Sequence, residues 1–141
     1  MSFSSAANGR HVVRIEEQSE QEIPDSGGLV VGHTRYYGLY FHEGEVATCW
    51  AVEAFERRPD GGSQKGFTVN RYQDGATTVM AFEGEKSALH ETARNRFRGT
   101  WRFVSGSGRF QGITGGGEYE GQSFEGIAYS NVAGNAGPAA K

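Results

Sequence analysis

Two turn dipeptides constrain this chain more than any other feature. Glu43-Gly44 lies between residues 29–41 and 46–56, and Asp74-Gly75 lies between residues 67–73 and 76–83. The flanking runs alternate aromatic or β-branched residues with polar ones, the period-2 pattern of a strand buried on one side. A compact turn between two such runs makes an antiparallel hairpin, because Gly supplies the positive φ a tight reversal demands. Pro59-Asp60-Gly61-Gly62 marks another turn. Residues 11–15, 97–104, 117–121 and 124–132 read as four more strands, the first ended by the acidic, polar residues 16–26.

No segment carries the apolar stripe of a helix that could serve as a parallel crossover. Residues 85–96, EKSALHETARNR, offer only Ala88, Leu89 and Ala93 to a buried face, and read as a charged loop with a helical turn. Short strands in series without crossovers pair up and down. The expected fold is therefore all-β, an eight-stranded antiparallel closed barrel with lumen space for one small ligand; a sandwich is the other arrangement. Residues 11–133 form the single domain. Residues 1–10 and 134–141, small and Gly/Ala-rich, are expected to be flexible tails.

Composition agrees and narrows the function classes. Gly occurs 22 times among 141 residues and Pro 3 times, with no collagen period. Hydrophobic residues make up 36% and aromatics 12%, which excludes a disordered chain. A net charge of −3 gives no general attraction to nucleic acid or to anionic membranes. Cys49 is the one cysteine, so neither an internal disulfide nor a thiolate zinc cluster is expected. The first ten residues lack the apolar core of a signal peptide, and no apolar run reaches membrane-span length. The expected setting is the cytoplasm.

The turns also set faces. With Glu43-Gly44 as a two-residue loop, one face carries Phe41, Leu39, Tyr37 and Arg35 opposite Val46, Thr48, Trp50 and Val52. The other carries Tyr40, Gly38, Tyr36 and Thr34 opposite Ala47, Cys49, Ala51 and Glu53. The small residues of the second face leave empty volume, so this face is favoured as the lumen, although a one-residue slip would exchange the two. A two-residue Asp74-Gly75 loop pairs Phe67 with Phe82, Val69 with Met80 and Arg71 with Thr78, and this apolar row is expected inside. Arg71 would then snorkel at a rim or pair with an internal acid. Phe97, Trp101 and Phe103 alternate with basic residues and point inward.

Residues 99–117, GTWRFVSGSGRFQGITGGG, resemble the pattern near the last strands of allene oxide cyclases, dirigent proteins and related bacterial barrels. There a strand ending in Phe runs into Gly-x-Gly-basic-aromatic-x-Gly-aliphatic-x-Gly-x-Gly; here the positions are Phe103, Gly106, Gly108, Arg109, Phe110, Gly112, Ile113, Gly115 and Gly117. The resemblance implies a barrel, often trimeric, around a hydrophobic ligand. It implies cofactor-free cyclisation or isomerisation of a reactive intermediate, with a carboxylate stabilising positive charge and a cysteine among the lining groups. Glu53 and Cys49 would fill those places.

The bland readings compete residue by residue. His11, His33, His42 and His90 form no pair at metal-ligand spacing, and no metal is expected. There is no nucleophile elbow and no phosphate loop. Cys49 without a flanking His reads as a small buried hydrophobe. Glu53, inside AVEAF, would have a raised pKa in a dry lumen, or would face water on the exterior. The candidate catalytic residues are thus Glu53 and Arg71. The expected ligand-lining residues are Tyr36, Tyr40, Cys49 and Phe67 with Met80, Phe82, Trp101 and Phe103. No cofactor is expected, and the partners are a hydrophobic small molecule and further copies of the chain, as a trimer or dimer. The function classes left are a cofactor-free cyclase or isomerase and a non-catalytic carrier.

Overall fold

A computed structural model describes residues 5–89 and 94–138. The strands are β1 (Ser5–Ala6), β2 (Gly9–Glu22), β3 (Val30–His42), β4 (Glu45–Arg58), β5 (Gly61–Arg71), β6 (Thr77–Leu89), β7 (Arg94–Gly106), β8 (Thr114–Phe124) and β9 (Ile127–Gly137). β2 to β9 pair antiparallel in sequence order, and β9 closes on β2, making an eight-stranded barrel. β1 continues the line of β2 along β9, with Ser5 opposite Ala136. The only helix among the described residues is one 3-10 turn, Gly108–Phe110. The barrel, not the sandwich, is the architecture.

The first hairpin has the expected register. Tyr37 faces Trp50, Gly38 faces Cys49 and Thr34 faces Glu53. Glu43 and Gly44 both sit at positive φ, 49° and 79°, which matches the turn twist to the strand twist. Glu125-Gly126 repeats the device between β8 and β9, at 52° and 80°. This turn divides residues expected to form one strand from 124 to 132.

The second hairpin differs. Phe67 faces Ala81, Val69 faces Val79 and Arg71 faces Thr77, so the pairing is one residue off the expected one. The cause is a three-residue loop, Gln73-Asp74-Gly75: the Tyr72 amide donates to the Ala76 carbonyl at 2.9 Å, and only Gly75 takes a positive φ, 87°. This loop length is the next most common for a hairpin and exchanges the faces of one strand relative to the other. Met80 and Phe82 stay inside, opposite Thr68 and Gly66. Phe67 and Arg71 point outward and are exposed, which corrects their expected place in the lumen.

Other strands run further than expected. β2 continues through its acidic residues because these face solvent, where Glu17 meets Arg35 and Glu20 meets Arg57 on neighbouring strands. β6 and β7 extend into the segment expected to be a charged loop, pairing Lys86 with Phe97 and Glu85 with Arg98. Strand also crosses both expected tail boundaries, since β2 starts at Gly9 and β9 ends at Gly137.

One barrel end is plugged by the glycine motif. Gly108 at φ 63° and Gly112 at φ 78° carry the chain around the 3-10 turn, where Phe110 packs on Tyr72 with ring centroids 4.9 Å apart. Arg109 lies 4.4 Å from the Phe110 ring centroid and binds Glu45 and Asp74, clasping the turns of both hairpins. The buried core comprises Ala7, Tyr40, Ala47, Cys49, Tyr72, Met80, Trp101, Tyr119 and Val132.

Candidate active site in the barrel lumen

Strand alternation carries Ala47, Cys49, Ala51, Glu53 and Phe55 of β4 inward in series. Glu53 is the acid of that row, and its side chain is 1% exposed. Such a charge is costly to bury without partners. Two converge on it: the Tyr36 hydroxyl donates to Oε2, and the Lys86 ammonium contacts Oε1. Lys86 comes from β6, its side chain 23% exposed, with its Nζ 5.0 Å from the centroid of the buried Phe55 ring. Gly66, opposite Glu53 on β5, presents no side chain into this space. Beside the acid, Gln64 donates through Nε2 to the Tyr119 hydroxyl at 2.6 Å.

Glu53, Tyr36, Gln64 and Tyr119 border a cavity of about 90 Å³ whose wall includes Phe82, Phe97, Trp101, Ala51 and Val132. Phe82 meets Tyr119 edge-on at 5.8 Å, and Trp101 meets Phe103 edge-on at 5.0 Å. The Trp101 Nε1 donates to the Glu118 and Ala133 carbonyls, each at 3.2 Å, so the indole is held against β8 and β9. Burial and the Glu53 charge push the Tyr36 hydroxyl pKa well up, which keeps it a donor. Burial raises Tyr119 to about 12.

His11 of β2 borders the same cavity and was missed as a site residue; its sequence signal is its alternation with Val13 on the inward face. The ring contacts Asn70 Oδ1 through Nε2 at 2.9 Å and stacks on Tyr40 with centroids 4.1 Å apart. The Asn70 amide donates to Thr78 Oγ1 at 3.1 Å and to Met80 Sδ at 3.3 Å. Burial lowers the His11 pKa to about 4, leaving a neutral imidazole.

Of the expected site residues, Glu53, Tyr36, Met80, Phe82 and Trp101 border this cavity. Tyr40 and Cys49 are buried in the adjoining core, and Phe103 packs against the same core beside Trp101. Phe67 and Arg71 are on the outside. Burial raises the Cys49 thiol to about 12, so it is no ready nucleophile. His33 is exposed, His42 is half-buried and stacks on Tyr40 at 5.7 Å, and His90 lies outside the described residues. Among the described residues no cluster of three or more His, Cys, Asp or Glu is placed to hold a metal ion.

No protein-family model matches the chain, and no curated protein matches its sequence. The fold is similar to the crystal structure of a conserved protein of unknown function from Rhodopseudomonas palustris, at 12% identity and TM-score 0.67, over 96% of this chain and 98% of that one. At that identity the likeness establishes a shared barrel fold.

Proposed function

We propose that the barrel binds a compact, largely apolar molecule in its lumen and isomerises or cyclises it without a cofactor, with Glu53 as the acting group. The observation that carries this reading is the Glu53 carboxylate at the edge of an aromatic-walled cavity, with Tyr36 and Lys86 on its two oxygens. In such a site Glu53 takes a proton from a carbon acid and returns it at a second position, so substrate and product are isomers. Protonation of Glu53 weakens its hold on the Tyr36 hydroxyl, which then turns to the oxyanion forming on the substrate. Lys86 stays as the positive charge that offsets the carboxylate in the resting state.

The similarity of Gly106 to Gly117 to the allene oxide cyclase and dirigent pattern supports a ligand-enclosing barrel. A cavity of about 90 Å³ favours a molecule of one-ring size over a long-chain epoxide. The carrier reading has its own support: with both oxygens engaged, Glu53 is already satisfied by the protein. Native mass spectrometry of the purified protein, followed by chromatography of the released ligand, separates the readings. The enzyme reading expects a small molecule in wild type and its isomer in E53Q. The same molecule in both makes the protein a carrier, and an empty lumen in both sinks the binding site itself.

A further inference from the structure

The cavity has two polar poles, and only the Glu53 pole enters the reading above. The other is His11. Its hydrogen-bond chain fixes the tautomer: the Asn70 amide nitrogen already donates to Thr78 and Met80, so the Asn70 oxygen is the acceptor and His11 Nε2 carries the proton. In a neutral ring the lone pair then sits on Nδ1. Asn70 and Gly66, the β5 residues beside His11 and opposite Glu53, are four positions apart, or roughly 13 Å along the strand. The side chains of both Glu53 and His11 line the cavity between these two heights on β5. Both poles offer acceptors. Glu53 keeps lone pairs beyond those that Tyr36 and Lys86 engage, and Nδ1 has its own.

Building on the lumen-binding reading, we infer that the ligand class is a compact ring bearing a hydroxyl or similar donor at each end, one meeting Glu53 and the other His11 Nδ1. His11 is then the residue that separates such ligands from molecules with a single donor. Phe82, Phe97 and Trp101 supply the faces against which the ring stacks.

Calorimetric titration of phenol and hydroquinone, under argon, tests this on the wild-type protein and on H11F. Hydroquinone should bind about tenfold more tightly than phenol, the yield of one added hydrogen bond. In H11F that preference should vanish while phenol affinity holds. If H11F does not fold, ¹⁵N NMR of the wild-type imidazoles replaces it: the unprotonated His11 Nδ1 signal should move with hydroquinone and stay with phenol. Equal affinities in wild type, an unmoved Nδ1 signal, or a proton found on Nδ1 would each overturn the role of His11 and leave the lumen site standing. Failure of both phenols to bind wild type would overturn the lumen site and this inference together.

Discussion

Lys86 of β6 places its ammonium on the buried carboxylate of Glu53 of β4, across β5. This ion pair makes the lumen acid tolerable, because a buried charge that loses its partner costs about 3–5 kcal/mol. K86M should therefore lower stability by about 3 kcal/mol, the low end of that range, since Lys86 reaches the rim and water can partly replace it. E53L/K86M, with no charge left to bury, should regain most of the loss. Urea unfolding of the three proteins checks both expectations, and a K86M protein as stable as wild type would show that the pair is not coupled.

E53Q keeps the volume of the acid and removes its charge. If Glu53 acts on the ligand, turnover should fall on the order of a hundredfold or more while the protein stays folded and binds. Once native mass spectrometry has supplied the ligand, a rate assay at saturating concentration reads this directly. Unchanged turnover would remove Glu53 from the chemistry.

Much of this arrangement was legible in residues 29–56, where the Glu43-Gly44 turn fixed a register that put Thr34, Tyr36, Cys49 and Glu53 on one inward face. The Asp74-Gly75 turn misled because a two-residue and a three-residue loop use the same dipeptide, and one extra residue moves Phe67 and Arg71 to the outside. Lys86 and Gln64 were hidden for a different reason. Both stand in polar, glycine-containing segments whose strand character comes from pairing with distant strands, which local alternation does not report. His11 alternates correctly, but its role depends on Asn70, and Asn70 faces the lumen only in the register set by the three-residue loop.

His11 should make stability depend on pH. Its pKa is about 4 in the fold, against an ordinary 6.5 when unfolded, so between those values the unfolded chain binds the extra proton. Its contribution is full above pH 6.5 and is lost as pH falls from 6.5 toward 4, by up to about 3 kcal/mol. Denaturant unfolding at pH 7, 5.5 and 4.5, compared with H11Q, isolates this share. Parallel pH curves for the two proteins would mean that His11 takes up its proton without disturbing the fold.

Cys49 should be nearly inert in the folded protein. With a pKa of about 12, its thiolate is on the order of one part in ten thousand at pH 8. Iodoacetamide should alkylate the native protein more than a hundredfold more slowly than the urea-unfolded chain. Comparable rates would place Cys49 in contact with solvent.

The last prediction concerns the barrel exterior, where apolar side chains meet across neighbouring strands. Val12 faces Leu39, Phe41 faces Val46, Tyr37 faces Trp50 and Val52 faces Phe67, all outward. Trp50 is 48% exposed and Phe67 49%, so neither is covered by its own chain. An apolar face continuous over β2 to β5 is more than a monomer ordinarily leaves in water. Charged residues border it, with Arg10, Arg14, Arg35 and Arg71 at its margins, the arrangement of an apolar interface centre inside a polar rim. A second copy of the chain supplies a matching face without any other partner. The protein should therefore be a dimer or trimer by light scattering at micromolar concentration, and W50E, which puts a charge at the centre of the face, should release monomers that keep the wild-type circular dichroism. A monomer mass for the wild-type protein across that range would refute the assembly, and a W50E protein that stays associated would move the interface to another face of the barrel.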